Sequence, residues 1–396
     1  MIHLTIRILQ VIALFGCVAG SIYYIVSLIS ARAFCNGRAD GSAGSTQAPP
    51  PVSILKPLKG IDPEIYESFR SHCLQNYPEY EIVFGVSDPA DPAVASVERL
   101  KQEFPKRAIR LVVCPNILGP NVKVSNLEQM VQAARHEHLI VNDSDIRVEG
   151  DYVQRVVAPL ADEHIGMVTC LYRGVAGPTL GSQLEALGIS TDFSAGVLVA
   201  QLIEGGLSFG LGSTLAFRRR DLNKIGGFKT IADFLADDYE LGHRIASLGL
   251  KVALSDVVVE THLPAYDLGG YLAHQMRWAR GVRDSRLGGY IGLIATFGLM
   301  WALLDLILAL AAAWSWAVLG VVLLLRVLVA LAVGKSVLKD SQLPGQLWLL
   351  PLRDLTAVGV WIASFWGHTV TWRGDQFELR KGRLIPTTSG PSHRFR

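Results

Sequence analysis

Residues 8 to 31 carry no charged side chain, and Arg7 and Arg32 close the run at its two ends. A run of that length lets a helix cross the hydrocarbon core of a bilayer. A cleaved secretory signal is the other use of an N-terminal apolar run. Its apolar region is shorter, so an uncleaved anchor is the better reading. A second block, residues 287 to 334, holds only Asp305 and Arg326 as charged residues. Its length suits two antiparallel spans. Trp314 and Trp316 would mark the turn between them, because Trp anchors at the interface. Charge inside lipid is costly, so Asp305 and Arg326 either pair or each reach water at a span end. A third apolar stretch, Leu355 to Trp366, is short for a span and reads as an interfacial or re-entrant segment. These blocks account for a chain that is 50% hydrophobic.

Lys and Arg flank the apolar blocks unevenly. Arg32 and Arg38 follow the first, Arg277, Arg280, Arg283 and Arg286 precede the second, and Lys335 and Lys339 follow it. Such residues stay in the cytoplasm, which predicts a multi-pass membrane protein whose middle is cytoplasmic. The expected division is an anchor over 1–33 and a linker rich in Gly, Ser, Ala and Pro over 34–51. A cytoplasmic domain follows over 52–286, then a transmembrane hairpin over 287–334. Last come an interfacial or re-entrant segment over 335–371 and a basic cytoplasmic tail over 372–396. A net charge of +2 argues against nucleic acid as a partner. The five cysteines are scattered and odd in number, as for reduced, mostly buried thiols.

Within the middle of the chain, strand-like and helix-like stretches alternate. "VSILK" (52–56), "EIVFGVS" (81–87) and "IRLVVC" (109–114) read as strands. Helical patterns over 62–74, 91–104 and 126–135 lie between and after them. This alternation predicts an α/β fold with a mostly parallel sheet flanked by helices. Ligands of such sheets bind beyond the carboxyl ends of the strands. Asp88 falls at the end of the second strand. "LIVNDSDIRV" (139–148) drives an apolar strand out of the core into Asp143-Ser144-Asp145. In isolation that tripeptide is a turn or a metal site. At a strand tip of an α/β sheet, two carboxylates at i and i+2 favour a hard divalent cation. No GxGxxG, GxxxxGK[ST], HExxH or GxSxG occurs where it would count, so dinucleotide, P-loop, zincin and serine-hydrolase sites are unsupported.

Two later stretches carry charge in suggestive places. "FLADDYELGHRIASLG" (234–249) sets Asp237 and Asp238 at a helix start, either as capping residues or as site acids. "YLAHQMRWARGVR" (271–283) is basic and lies just before the second apolar block. Its outer arginines suit an anchor. Arg277-Trp278 also suits clamping and stacking on a phosphate-bearing ligand.

In this order the pieces resemble the ceramide glucosyltransferase family of membrane glycosyltransferases (family 21), built on the GT-A fold. The matching stretches are "SILKPLKGIDP" (53–63), "VSDPADPA" (86–93), "NVKVSNL" (121–127), "NDSDIRV" (142–148), "LADDYE" (235–240) and "QMRW" (275–278). The resemblance covers roughly residues 50–285 and the membrane layout. One position departs: His274 stands where the family's last motif opens on Gln or Arg.

The resemblance implies an inverting hexosyltransferase that moves a sugar from UDP-glucose or UDP-N-acetylglucosamine to a lipid hydroxyl. Asp88, Lys123, Arg277 and Trp278 would bind the donor, and Asp143 and Asp145 would hold Mg²⁺ or Mn²⁺. Asp238 would be the general base, with Asp237 and His274 in support. The acceptor would be ceramide or, in bacterial relatives, a hopanoid polyol, which would place the protein in a bacterial inner membrane. A processive polysaccharide synthase shares these motifs but needs more spans. A membrane-anchored nucleotide-sugar-binding protein without activity would be expected to have lost one of the acids.

Overall fold

In the computed structural model the described residues are 2–40, 48–372 and 375–387. The chain divides into two compact units. One gathers Ala43–Val175, Glu204–Pro264 and His368–Arg396; the other gathers Met1–Ser42, Ala176–Ile203 and Ala265–Gly367.

The first unit is built on an eight-stranded sheet. Its strands are β1 (Val52–Leu58), β2 (Tyr80–Val86), β3 (Ala108–Val113), β4 (His138–Val141), β5 (Ile146–Arg147), β6 (Ile165–Val175), β7 (Leu215–Arg218) and β8 (Lys251–His262). They lie in the order β3-β2-β1-β4-β7-β6-β8-β5. Strands β3, β2, β1 and β4 run parallel, β6 and β8 are also parallel, and β7 opposes both β4 and β6. β1 and β2 are buried along their whole length, as a strand covered on both faces must be. The expected α/β architecture is therefore present. One core joins Ile54, Ile82 and Phe84 to Phe69 and Leu100 of the helices Ile65–Cys73 and Ala93–Glu103.

The helix expected over 126–135 runs from Val122 to Ala133. Asn121 caps it by accepting the Val124 N–H at 3.1 Å. Lys123 therefore sits in the first turn of a helix.

The C-terminal segment is not simply a charged tail. β9 (Thr369–Trp372), β10 (Asp375–Arg380) and β11 (Arg383–Pro386) form an antiparallel sheet. Its small core is Val370, Phe377, Leu379 and Leu384, with Leu235 and Trp372 packed against it. Lys381 and Gly382 both have positive φ (51° and 76°), the backbone that a tight two-residue hairpin requires.

The second unit is helical and apolar. Among the described residues, four helices are long and apolar enough to cross a membrane: His3–Gly37, Leu180–Glu204, Ala313–Val337 and Leu343–Ser364. A further pair, Leu287–Thr296 and Gly298–Leu308, is bent by 54° and would make one broken span. The layout differs from the expected one in several places. The N-terminal helix, Ile2–Asp40, extends through the start of the expected linker, whose residues 41–47 lie outside the described residues. The expected 52–286 domain is divided, since Ala176–Ile203 and the residues from Ala265 onward belong to the apolar unit. Helix Leu343–Ser364 is of spanning length rather than a short segment.

The pairing of Asp305 with Arg326 is not found. Arg326 is buried and reaches Asp354 at 2.8 Å and Asp192 at 2.7 Å. Its Nη2 also donates to the Thr191 hydroxyl at 3.1 Å. Asp305 is buried too and faces Gln10 of the N-terminal helix. Two carboxylates satisfy a guanidinium better than one, which explains the choice.

Candidate active site

Parallel pairing fixes which acids share an end of the sheet. Leu58 of β1 lies beside Val86 of β2, and Leu55 beside Val141 of β4. Asp88 and Asp143 each follow their strand by two residues, so both leave at the carboxyl end. Asp88 is exposed and closes a turn by accepting the Ala90 N–H at 2.8 Å.

The Asp143-Ser144-Asp145 turn is held from below at every residue. Lys56, fully buried within β1, donates to the Asp143 carbonyl at 2.9 Å. The Ser144 hydroxyl bonds Asp62, and the Thr261 hydroxyl of β8 bonds Asp145. Beneath the turn, Asn142 donates to the Ser213 carbonyl at 2.7 Å and to the Tyr152 hydroxyl at 2.8 Å. Burial pushes the Lys56 ammonium down to about 7, opposed by Asp145 and Asp143. Burial, then the neighbouring Asp143, pushes the Asp145 carboxyl up to about 6.

Above the turn, three motifs meet on one side chain. The Lys123 ammonium lies 2.7 Å from Asp143 and 3.1 Å from Asp237. Burial alone would lower its pKa. Asp143, Asp237 and Asp238 outweigh that and hold it well above the usual lysine range. Asp237 opens the helix Asp237–Ala246, and Asp238 follows it. One Asp238 oxygen accepts the Gly212 N–H at 2.7 Å and the other the Tyr239 N–H at 2.8 Å. Burial, then Asp237, raises the Asp238 carboxyl to about 6, with Lys123 opposing.

Gly212 shows how close the acids come. A Cβ added there would sit 3.1 Å from Asp238 Oδ2 and 3.2 Å from Asp143 Oδ2. The space left by the missing side chain is a cradle between the two carboxylates. Carboxylate oxygens are what a hard divalent cation takes, and Asp143 shares its turn with a second carboxylate, Asp145. Among the described residues, no three His, Cys, Asp or Glu side chains are grouped to ligate one ion. A cation here would draw on one or two carboxylates and complete its oxygen shell from outside the protein.

The remaining expected residues lie in the helical unit, on the helix Leu268–Ser285. His274 Nδ1 stands 2.8 Å from Glu185, which is buried on the helix Leu180–Gly188. His274 stacks on Tyr266 with centroids 5.7 Å apart and tilts against Trp278 at 5.2 Å. Phe193 packs against Trp278 at 6.2 Å. An imidazole set against a buried carboxylate thus occupies the position at which the resembled motif opens on Gln or Arg. Arg277 lies on the same helix.

The structure therefore brings together Lys123, Asp143, Asp145, Asp237 and Asp238 and sets Asp88 at the same sheet end. Lys56, Asp62, Gly212 and Thr261 were not singled out from the sequence. Lys56 and Asp62 were within reach, because both lie in the quoted "SILKPLKGIDP". Gly212 and Thr261 carried no local signal.

Residues 12–385 match the family model described as Glycosyl transferase family 21. Ceramide glucosyltransferase 3 of Caenorhabditis elegans is 24% identical over 396 residues, covering 95% of this chain and 83% of that protein. The ceramide glucosyltransferase of Komagataella phaffii is 32% identical over 146 residues, 35% of this chain and 29% of that protein. The solved mannosyltransferase PcManGT from Pyrobaculum calidifontis, in complex with GDP-Man and Mn2+, aligns with 90% of this chain and 99% of its own at 20% identity and a TM-score of 0.49.

Proposed function

Because the chain belongs to glycosyl transferase family 21, we propose that it moves a hexose from a UDP-sugar to the hydroxyl of a membrane lipid with inversion at the anomeric carbon. The observation that carries this reading is the Lys123 ammonium set between Asp143 and Asp237, beside Asp238. That arrangement joins an anion-binding and cation-binding edge to a carboxylate of raised pKa. The relatives named above are ceramide glucosyltransferases, which makes UDP-glucose and ceramide the first donor and acceptor to test.

Asp238 takes the proton from the attacking lipid hydroxyl. Its two amide contacts, from Gly212 and Tyr239, fix the carboxylate so that it faces one way. A carboxylate raised to about 6 is a stronger base than a free one and is still ionised at neutral pH. Lys123 bridges Asp143 and Asp237 beside it. Asp143 and Asp145 would hold Mg²⁺ or Mn²⁺, which supplies a Lewis acid for the departing UDP. Asp88, at the same sheet end, would receive the uridine. Only one general base is required and no side chain need act as nucleophile, so displacement is single and an α-linked donor gives a β-glycoside.

The cytoplasmic orientation of the sheet unit follows from the arginine and lysine distribution. The test is transfer by the detergent-solubilised full chain, using radiolabelled UDP-glucose and UDP-N-acetylglucosamine with ceramide and a total lipid extract. A labelled lipid whose new bond is β supports the reading. Absence of any labelled lipid with either donor, while the protein is folded and binds UDP, would overturn it.

A further inference from the structure

The C-terminal hairpin pairs with the chain that leads directly into Asp237 and Asp238. The Leu384 N–H donates to the Asp233 carbonyl at 2.7 Å, and the Leu235 N–H donates to the Gly382 carbonyl at 3.0 Å. Phe234 and Arg383 form an antiparallel bridge between these bonds. The segment Asp233–Leu235 thus serves as one more strand on the edge of the β9–β11 sheet, and Leu235 enters that sheet's core. The Phe234 ring is buried between two cations: Arg383 at 5.0 Å and Arg244, on the base's own helix, at 5.7 Å.

The other edge of the same segment is tied to the helix that carries Lys123. Asn121 is buried; its N–H donates to the Ala232 carbonyl at 2.9 Å, and its side-chain amide donates to the Phe234 carbonyl at 2.8 Å. That amide also reaches Asp237 at 3.4 Å. Residues 232–236 are therefore held between the C-terminal hairpin on one side and the Lys123 helix on the other. A segment without regular structure of its own, set next to a general base, would otherwise be free to move.

We propose that the C-terminal hairpin is a positioning element for the transfer reaction, with Arg383 and Leu384 as positioning residues that set Asp237 and Asp238 through Asp233–Leu235. The proposal rests on the reading of Asp238 as the base. It gives the segment after the last apolar helix a part in turnover beyond that of a charged membrane anchor. Asp88 and the Asp143–Asp145 turn lie on elements the hairpin does not touch through these bonds.

The test uses the full chain in detergent and three variants: Arg383→Ala, Arg383→Lys and Leu384→Pro. For each, kcat and KM are measured with UDP-glucose and ceramide, UDP affinity is measured by calorimetry with Mn²⁺, and folding is followed by thermal melting. Arg383→Ala should lower kcat about fivefold to tenfold, the size of a cation–π contact expressed in a rate. Leu384→Pro, which removes the backbone donor, should lower kcat about 10²-fold, as displacement of a reacting group does. UDP affinity should stay within about twofold in both, since the loss is confined to placement of the base. Arg383→Lys keeps a cation over the ring and should recover most of the kcat. Arg383 is exposed, so its replacement leaves folding intact even where Leu384→Pro does not. The proposal fails if Arg383→Ala keeps wild-type kcat, if UDP affinity falls in step with kcat, or if Lys is no better than Ala. Wild-type protein that labels no lipid would instead end the transferase reading itself.

Discussion

Lys123 and Asp143 form an ion pair of 2.7 Å between the first turn of a helix and the tip of a strand. The same ammonium reaches Asp237, so one cation ties together two acidic positions distant in sequence. Removing it leaves Asp143, Asp237 and Asp238 facing one another, and like charges raise one another's pKa. Lys123→Ala should therefore move the acid limb of the pH–kcat profile to higher pH. It should also cut turnover at neutral pH by about 10²-fold, as loss of one electrostatic contact in a site does. Lys123→Arg should retain part of the activity. An unchanged pH profile in Lys123→Ala would show that the pair has no part in setting the acids.

The raised carboxyl of Asp238 gives a direct pH expectation. A base must be deprotonated to accept a proton, so kcat should fall on the acid side, at a point no higher than about 6. A bound cation shifts that point lower, because a positive charge favours the carboxylate. Asp238→Asn should cost about 10²–10⁴ in kcat and keep UDP affinity. Asp237→Asn should cost less, since its carboxylate pairs with Lys123. Turnover and UDP binding measured side by side separate the two. A dead Asp237→Asn beside an active Asp238→Asn would exchange their roles.

Gly212→Ala probes the cradle. No positive φ is required there, so the backbone accepts alanine, but the methyl group would enter the space between Asp238 and Asp143. The variant should melt near the wild-type temperature, bind Mn²⁺ and UDP more weakly, and lose transfer by at least about 10²-fold. Near-normal transfer would mean that the acids do not work across that space.

Metal dependence has a readout that does not need turnover. Asp145 and Asp238 both stand near 6, above the ordinary aspartate value. A raised carboxyl adds stability below its unfolded pKa and loses it as pH rises through the folded value. The apo protein should thus gain stability on acidification from about pH 7 toward about pH 4 through these two groups. A divalent cation that binds the carboxylates should raise the melting temperature more at about pH 7.5 than at about pH 5, where protons compete. EDTA should abolish transfer and Mn²⁺ or Mg²⁺ restore it. An equal thermal shift at both pH values would argue against carboxylate ligation.

Much of this site could be read in the sequence because its acids stand at element ends. Asp143 and Asp145 end a strand and Asp237 and Asp238 open a helix, and the alternation of apolar runs gives those ends away. What holds the acids could not be read, because the partners are distant. Lys56 reaches Asp143 across the sheet, and Thr261 reaches Asp145 from another strand. The apolar helix Leu180–Glu204 was hidden by Glu185 and Asp192, which interrupt its hydropathy. Both are answered inside the fold, by His274 and by Arg326 and Arg353. The C-terminal strands were masked by their charges, although Lys381-Gly382 carried a turn signal.

The buried pairing of Arg326 makes the last expectation. Its guanidinium bonds Asp354 through two nitrogens, at 2.9 Å and 2.8 Å, and meets Asp192 on the π-helical turn Ile189–Phe193. Removing one member of a buried pair leaves an uncompensated charge and typically costs about 3–5 kcal/mol. Arg326→Ala should therefore lower the yield of folded, detergent-solubilised protein sharply. Arg326→Lys should rescue it poorly, because an ammonium lacks the planar fork that grips Asp354. Asp305→Asn should be mild, since Asp305 does not share this cluster. Exchanging Asp305 and Arg326 should be as damaging as Arg326→Ala, for the arginine would leave both carboxylates behind. The decisive comparison is the double replacement of Arg326 and Asp354 by Leu and Asn, which leaves Asp192 paired with Arg353 at 3.2 Å. If the ion cluster is what Arg326 serves, the double variant should fold better than Arg326→Ala alone. A double variant that melts lower than the single one would show that the two residues contribute separately.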